Sequence, residues 1–126
     1  MQESDIVLTP IPQSDGIIKN RPVILLRELP PYRDFLVCGV STQIQQEVPN
    51  FDEIISPSDP DFSGTGLRTN SLIRLGFLAL VPRRKIIGSI GSISLDQHHR
   101  LLPTLSDYLI DFKSGSCGYL MGCFTP

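Results

Sequence analysis

The sequence predicts a mainly β domain with one C-terminal helix. Three observations carry this reading. Short runs of β-branched and aliphatic residues recur along the 126-residue chain, 11 prolines and 10 glycines break them up, and only one stretch, near the C-terminus, has helical spacing. Prolines at this density, against an average usage of about 5%, exclude a helical bundle or a coiled coil and favour short strands joined by turns. With 40% apolar and 19% charged residues the chain can bury one ordinary core, and its length bounds it to one domain.

The elements follow in order. Asp5-Ile6-Val7-Leu8-Thr9 reads as a strand. Pro10 to Gly16, with two prolines and a Ser-Asp-Gly turn, reads as a loop. Val23-Ile24-Leu25-Leu26 is a second strand, and Pro22 suits its start, where a missing N–H costs little. Leu29 to Asp34 is a turn. Phe35 to Thr42 is apolar nearly throughout, as expected of a central strand covered on both faces, and it ends in hydroxyls and amides: Ser41, Thr42, Gln43, Gln45 and Gln46. Pro49 to Gly66 is polar and rich in Pro, Ser and Asp. It reads as a long surface excursion with one short strand near Glu53 to Ile55.

Ser71 to Leu75 and Phe77 to Val81 form one long strand interrupted at Gly76, where a bulge or a close backbone approach is expected. Arg83-Arg84-Lys85 is a basic turn, and Ile86 to Ile90 another strand. Ser94 with Gln97 predicts a capping box, and Leu101, Leu105, Tyr108, Leu109 and Phe112 follow helical spacing. Pro103 falls inside that pattern, which predicts a kink or a break into two short helices. The domain is read as residues 1–113, followed by a flexible Gly/Ser/Cys tail over 114–126. Several short strands and one helix fit a strongly bent antiparallel sheet or partly open barrel, plugged by the helix.

Composition also restricts function. The net charge of −2 lacks the basic excess of a protein whose partner is duplex DNA, so any nucleic-acid contact must come from a local pocket. No apolar run reaches the roughly 18 residues of a membrane span, and the acidic start Met1 to Asp5 lacks a signal peptide's basic and apolar regions. A cytoplasmic location is expected. Cys38, Cys117 and Cys123 give neither a disulfide framework nor a zinc signature; Cys38 reads as a small core residue, and the other two as candidate exposed thiols. No His/Cys/Asp cluster has ligand spacing, so neither metal nor cofactor is expected. His98 and His99 point about 100° apart on a helix, so they cannot chelate as an i, i+4 pair, and both read as solvated. Gly64-Thr65-Gly66 lacks the glycines and lysine of a phosphate loop. With no Trp and 3 Tyr, the chain lacks the aromatics that line a proline-rich peptide groove.

Taken together, four blocks resemble the MazF/PemK (Kid-like) toxins of type II toxin–antitoxin systems. They are Asp5-Ile6-Val7-Leu8 with the Pro-x-Pro loop, Ser14-Asp15-Gly16 and Arg21-Pro22-Val23-Ile24-Leu25; Val37 to Gln45, with its hydroxyl-bearing strand end; Ser71-Leu72-Ile73-Arg74-Leu75; and Gly88-Ser89-Ile90-Gly91 with the helix from Leu95. The match covers roughly Asp5 to Phe112. The resemblance implies an SH3-like barrel, a homodimer and a cognate antitoxin protein. It also implies metal-independent cleavage of single-stranded RNA (mRNA), with the 2′-hydroxyl as nucleophile and a 2′,3′-cyclic phosphate and a 5′-hydroxyl as products.

On that basis Arg21 and Ser41 are carried over as catalytic residues, and Gln13, Lys19, Thr42, Gln43 and Arg74 as RNA-binding ones. Read from composition alone, Arg21 is a strand-edge surface arginine, Ser41 and Thr42 satisfy backbone groups, and Arg74 is a solvent-facing ion-pair partner. The chemistry suits the carry-over: transesterification needs alignment and donors on the phosphoryl oxygens, and a guanidinium fork matches a phosphate. One departure stands out. Gly76 lies two positions after Arg74, where some family members carry a carboxylate. A catalytically weak member that binds RNA or antitoxin is therefore the alternative.

Overall fold

The computed structural model describes residues 1–111. The expected tail, with Cys117 and Cys123, and the apolar position Phe112 lie outside the described residues. Six strands form one antiparallel sheet: β1 (Asp5–Pro12), β2 (Ile18–Leu29), β3 (Asp34–Ser41), β4 (Glu53–Ile55), β5 (Ser71–Val81) and β6 (Gly88–Ser92). Among the described residues a single α-helix, α1 (Leu95–Leu109), follows. The spatial order is β4-β5-β3-β2-β1-β6, so the apolar β3 lies inside the sheet. The sheet curls, and the 3₁₀ turn Phe62–Thr65 that follows edge strand β4 packs on the other edge strand, β6. There the backbones almost touch. A Cβ on Gly66 would lie 2.1 Å from the Ile90 carbonyl oxygen, and Gly66 also has φ +75°, so only glycine fits.

Strand alternation sorts the side chains onto two faces. Ile6, Ile24, Leu26, Cys38, Val40, Ile73 and Leu75 face one way, where Ile93 and the α1 residues Leu101 and Leu105 cover them. Val7, Ile11, Val23, Leu25, Phe35, Val37 and Val81 form a second cluster on the other face. Among the described residues no helix covers that second face, and it continues into the groove described below.

Several sequence expectations are corrected. Pro10 to Pro12 is strand, not loop: β1 runs through it, with Pro10 opposite Asn20 and Pro12 opposite Ile18. The Gln13 N–H donates to the Ile17 carbonyl at 2.8 Å, which sets the hairpin phase. In that phase Thr9 and Ile11 turn their N–H groups to β2, while both prolines turn their nitrogens away, beyond the end of β6 at Gly88. By the same alternation Pro22 lies within β2, its nitrogen directed toward β3 just past the last paired residues, Val23 and Gly39.

The last strand begins at Gly88, not Ile86, because 83–85 form a 3₁₀ turn. The helix does not break at Pro103 and runs as one element of 15 residues. Its start is as expected, with Ser94 Oγ accepting the Gln97 N–H at 3.1 Å. The reciprocal half of the box is absent, since the Gln97 amide donates to Glu53 on β4 instead. Arg100 also binds Glu53, at 3.1 Å, so α1 is tied to the edge strand. His98 is buried, not solvated. Its Nε2 lies 2.9 Å from the Leu26 carbonyl oxygen, an acceptor that requires Nε2 to carry the proton.

The interruption at Gly76 is a bulge, as expected. Cys38 pairs with Leu78 while the next residue, Gly39, pairs with Arg74, so three residues of β5 have no partner on β3. One carboxylate secures it. Asp52 is buried, its Oδ1 accepting the Leu75 N–H at 3.1 Å and its Oδ2 the Val48 N–H at 3.0 Å. Asp52→Ala leaves two backbone donors without an acceptor and should lower unfolding stability by about 2–3 kcal/mol. Asp52→Asn, which keeps one carbonyl oxygen, should lose less. Denaturant midpoints of the three proteins check this ordering.

Candidate functional site

The groove lies at one end of the second sheet face, where β1 and β3 end and β2 and β5 begin. Its volume is about 620 Å³. On β1 to β3 the odd-numbered positions face it, which directs Gln13, Arg21 and Ser41 inward beyond Ile11, Val23 and Val37. Arg74 alternates with the buried Ile73 and Leu75, so it too faces the groove.

Of the seven residues singled out in the sequence, six meet here: Gln13, Arg21, Ser41, Thr42, Gln43 and Arg74. Lys19 does not, because it sits exposed on the β1–β2 hairpin beyond the groove's edge. The groove also holds residues the sequence reading missed, chiefly Arg68, Thr69, Ser71 and Phe77. The run Arg68-Thr69-Asn70-Ser71 leading into β5 mirrors Ser41-Thr42-Gln43 leading out of β3, and that likeness is the signal that was available.

Local bonds prepare the polar groups. Arg21 Nη2 donates to Gln13 Oε1 at 2.8 Å, and Gln13 Nε2 donates to the Ile11 carbonyl at 3.1 Å, so a short relay orients the guanidinium from β1. Ser41 Oγ accepts the Gln43 N–H at 3.0 Å, and its own O–H stays available to donate. Gln43 Oε1 accepts from Gln45 Nε2 at 2.7 Å.

The charge is one-sided. Arg21, Arg68 and Arg74 line the groove, and no Asp, Glu or His does. Most arginines elsewhere are matched: Arg27 with Glu3, Arg33 and Arg83 with Glu28, Arg100 with Glu53. A chain of net charge −2 thus gathers three arginines, without a carboxylate partner among the described residues, in one concavity. Such a site attracts an anion, and forked guanidinium donors match phosphate oxygens. Among the described residues no group of three or more His, Cys, Asp or Glu could hold a metal ion.

Gly76 does not face the groove. It lines an apolar hollow on the opposite side, with Phe51, Leu75, Leu78 and Tyr108. The position of the missing carboxylate is therefore directed away from the arginines.

The Mycobacterium tuberculosis toxin MazF-mt6 has the same architecture: it matches this chain with a TM-score of 0.61 at 20% identity, over 86% of this chain and 99% of that one. The fold is that of a MazF toxin. No family model and no curated protein matches the sequence. The MazF-like barrel accounts for the curled sheet and the single C-terminal helix expected from the sequence. No helix among the described residues is long and apolar enough to cross a membrane.

Cys38 belongs to the wall behind the groove, not to its chemistry. Burial pushes its thiol up to about 12, with the Asp52 carboxylate adding to the shift. A raised pKa favours the neutral thiol, so little thiolate forms below about pH 10. In a Cys117→Ser, Cys123→Ser variant, the native protein should resist thiol reagents at about pH 8 and react once unfolded. A fast native reaction would contradict this burial.

Proposed function

We propose that this protein is a toxin-type endoribonuclease that binds and cleaves single-stranded RNA in the arginine groove. One observation carries the reading: Arg21, Arg68 and Arg74 line a groove with Ser41, Thr42 and two glutamines and without a carboxylate. The MazF fold supports it. The alternative class, a duplex-DNA binder, fits poorly with an acidic chain whose clustered arginines sit in a concavity.

In the proposed reaction the RNA 2′-oxygen attacks phosphorus, forming the P–O2′ bond as the P–O5′ bond breaks. A 2′,3′-cyclic phosphate and a 5′-hydroxyl result. Arg21, held by Gln13, and Ser41, donating its O–H, stabilise the non-bridging oxygens as charge builds. The groove offers no histidine or carboxylate as a proton carrier, so water takes the 2′-proton and protonates the leaving oxygen. This absence also favours a second reading, in which the groove binds RNA or antitoxin with little turnover.

The proposal extends to assembly. The hollow beneath α1 leaves Val48, Leu78, Tyr108 and Leu109 exposed, and Leu80 is exposed on the same strand as Leu78. A second copy of the chain would cover such apolar surface, as in a cytoplasmic homodimer held in check by a cognate antitoxin.

Incubation with a mixed RNA in EDTA, with mapping of the new ends, tests the activity. Cleavage should persist under chelation and leave 5′-hydroxyl ends. Arg21→Ala should slow it about 100- to 1,000-fold, and Arg21→Lys should also lose most activity, since the charge survives without the fork. Ser41→Thr should retain much of the rate that Ser41→Ala loses. Binding without cleavage would select the second reading. Loss of activity on chelation, restored by metal, would overturn the mechanism. Arg68→Ala should reduce the salt slope of RNA affinity by about 0.7 for each phosphate it no longer neutralises, whereas Arg100→Ala should not. Light scattering should give a mass near twice 14.0 kDa.

A further inference from the structure

We infer that Phe77 is a stacking platform that holds one unpaired RNA base against β3. The inference rests on the proposed RNA-binding role of the groove and deepens it, by adding recognition of a base to recognition of phosphate.

Three observations lead to it. First, Phe77 lines the groove with the three arginines and is 37% exposed, although a large aromatic at this point of a strand would ordinarily be buried. Second, the ring is seated. A Cβ on Gly39 would lie 3.0 Å from Phe77 Cδ1 and 3.2 Å from Cγ, so the ring rests on bare backbone at a glycine. A side chain at 39 would displace it. The glycine covers one part of the ring and leaves the rest open to the groove. Third, the β5 bulge is what puts the ring there. Arg74 faces the groove at an even position, and strict alternation would send residue 77 to the core. The three unpaired residues reverse the phase, so Phe77 follows Ala79 and Val81 onto the groove face. Arg74 and Phe77 thus stand side by side, and both border Gly39.

A cation beside an open aromatic face is the arrangement that single-stranded nucleic acids use. The guanidinium meets the phosphate while the ring takes the π-face of an unstacked base. A paired base, already stacked on both sides, has no face to offer. Phe77 therefore makes the groove selective for single strands, and it does so without reading base identity through hydrogen bonds. The ring touches a base, not the scissile phosphate, so it acts in binding and positioning.

The test uses the full chain and labelled 2′-O-methyl decamers, which lack the nucleophilic 2′-hydroxyl. One set carries each of the four bases, one decamer carries abasic sites throughout, and one is a duplex. Fluorescence anisotropy at a single salt concentration gives the affinities. Wild type should bind at least one based decamer about tenfold or more tightly than the abasic one. Phe77→Ala should lose that difference and keep wild-type affinity for the abasic decamer. Phe77→Trp should retain the preference.

Phe77→Leu separates stacking from packing. It keeps apolar bulk over Gly39 but removes the π-face, so stacking predicts a loss close to that of alanine, and packing alone predicts wild-type binding. Equal preference for based over abasic RNA in Phe77→Ala and wild type would overturn the stacking role while leaving the groove's RNA role intact. Failure of wild-type protein to bind any single-stranded decamer, or binding of the duplex as tightly, would overturn both. Thermal melting of each variant shows that the protein compared is folded.

Discussion

A buried carboxylate holding open a bulge is the interaction on which the rest of this structure depends. Asp52 accepts the Leu75 N–H from within β5 and the Val48 N–H from the turn before it. Without that acceptor, the irregular stretch of β5 would place a backbone donor in an apolar core, at a cost of a few kcal/mol. With it, β5 carries three more residues than β3 can pair. The parity of the strand then changes midway. Arg74 faces the groove from one half of the strand and Phe77 from the other, while Leu75 stays in the core.

The two faces of the sheet serve different ends. Under α1 the core is continuous, and the helix is pinned by the His98 hydrogen bond to Leu26 and by Glu53 binding Gln97 and Arg100. On the other face the apolar cluster ends before the sheet does, and the remaining strand ends carry hydroxyls, amides and arginines. A covered face and an open polar end on one sheet place Arg21, Ser41, Arg74 and Phe77 of the groove on strands, where positions are better defined than on loops. The distribution of charge follows the same division. Most arginines away from the groove are matched by glutamates, and those in it are not. A negative net charge therefore does not preclude a local site with affinity for anions. What counts is where cations without a carboxylate beside them gather.

The bulge also places Gly76. The chain departs at this position from some members of the resembled family, but Gly76 borders the hollow near Phe51 and Tyr108, not the arginines. The groove in this chain is organised around donors rather than around a base. In the proposed reaction, an electrostatic role for Arg21 and Ser41 fits such a site better than proton transfer does.

Much of the fold was legible in the sequence because it depends on local chemistry. Short apolar runs mark β2, β3 and β5, Ser94 starts the helix, and the density of proline and glycine limits the chain to short elements. Six of the groove's residues, Gln13, Arg21, Ser41, Thr42, Gln43 and Arg74, were legible only through the family resemblance that the blocks around them carry. Long-range partners decided the rest. Pro10 and Pro12 belong to a strand because β6 ends before it would need their missing N–H groups. His98 is buried because the Leu26 carbonyl waits for a donor 72 residues away. Arg68 reaches the groove because the excursion after β4 crosses to the far edge of the sheet. Phe77 faces the groove because Asp52, distant in sequence, keeps β5 out of register with β3. Sequence periodicity assumes an unbroken strand; only the tertiary partners of an interruption determine how many residues it absorbs and which face the next side chain takes.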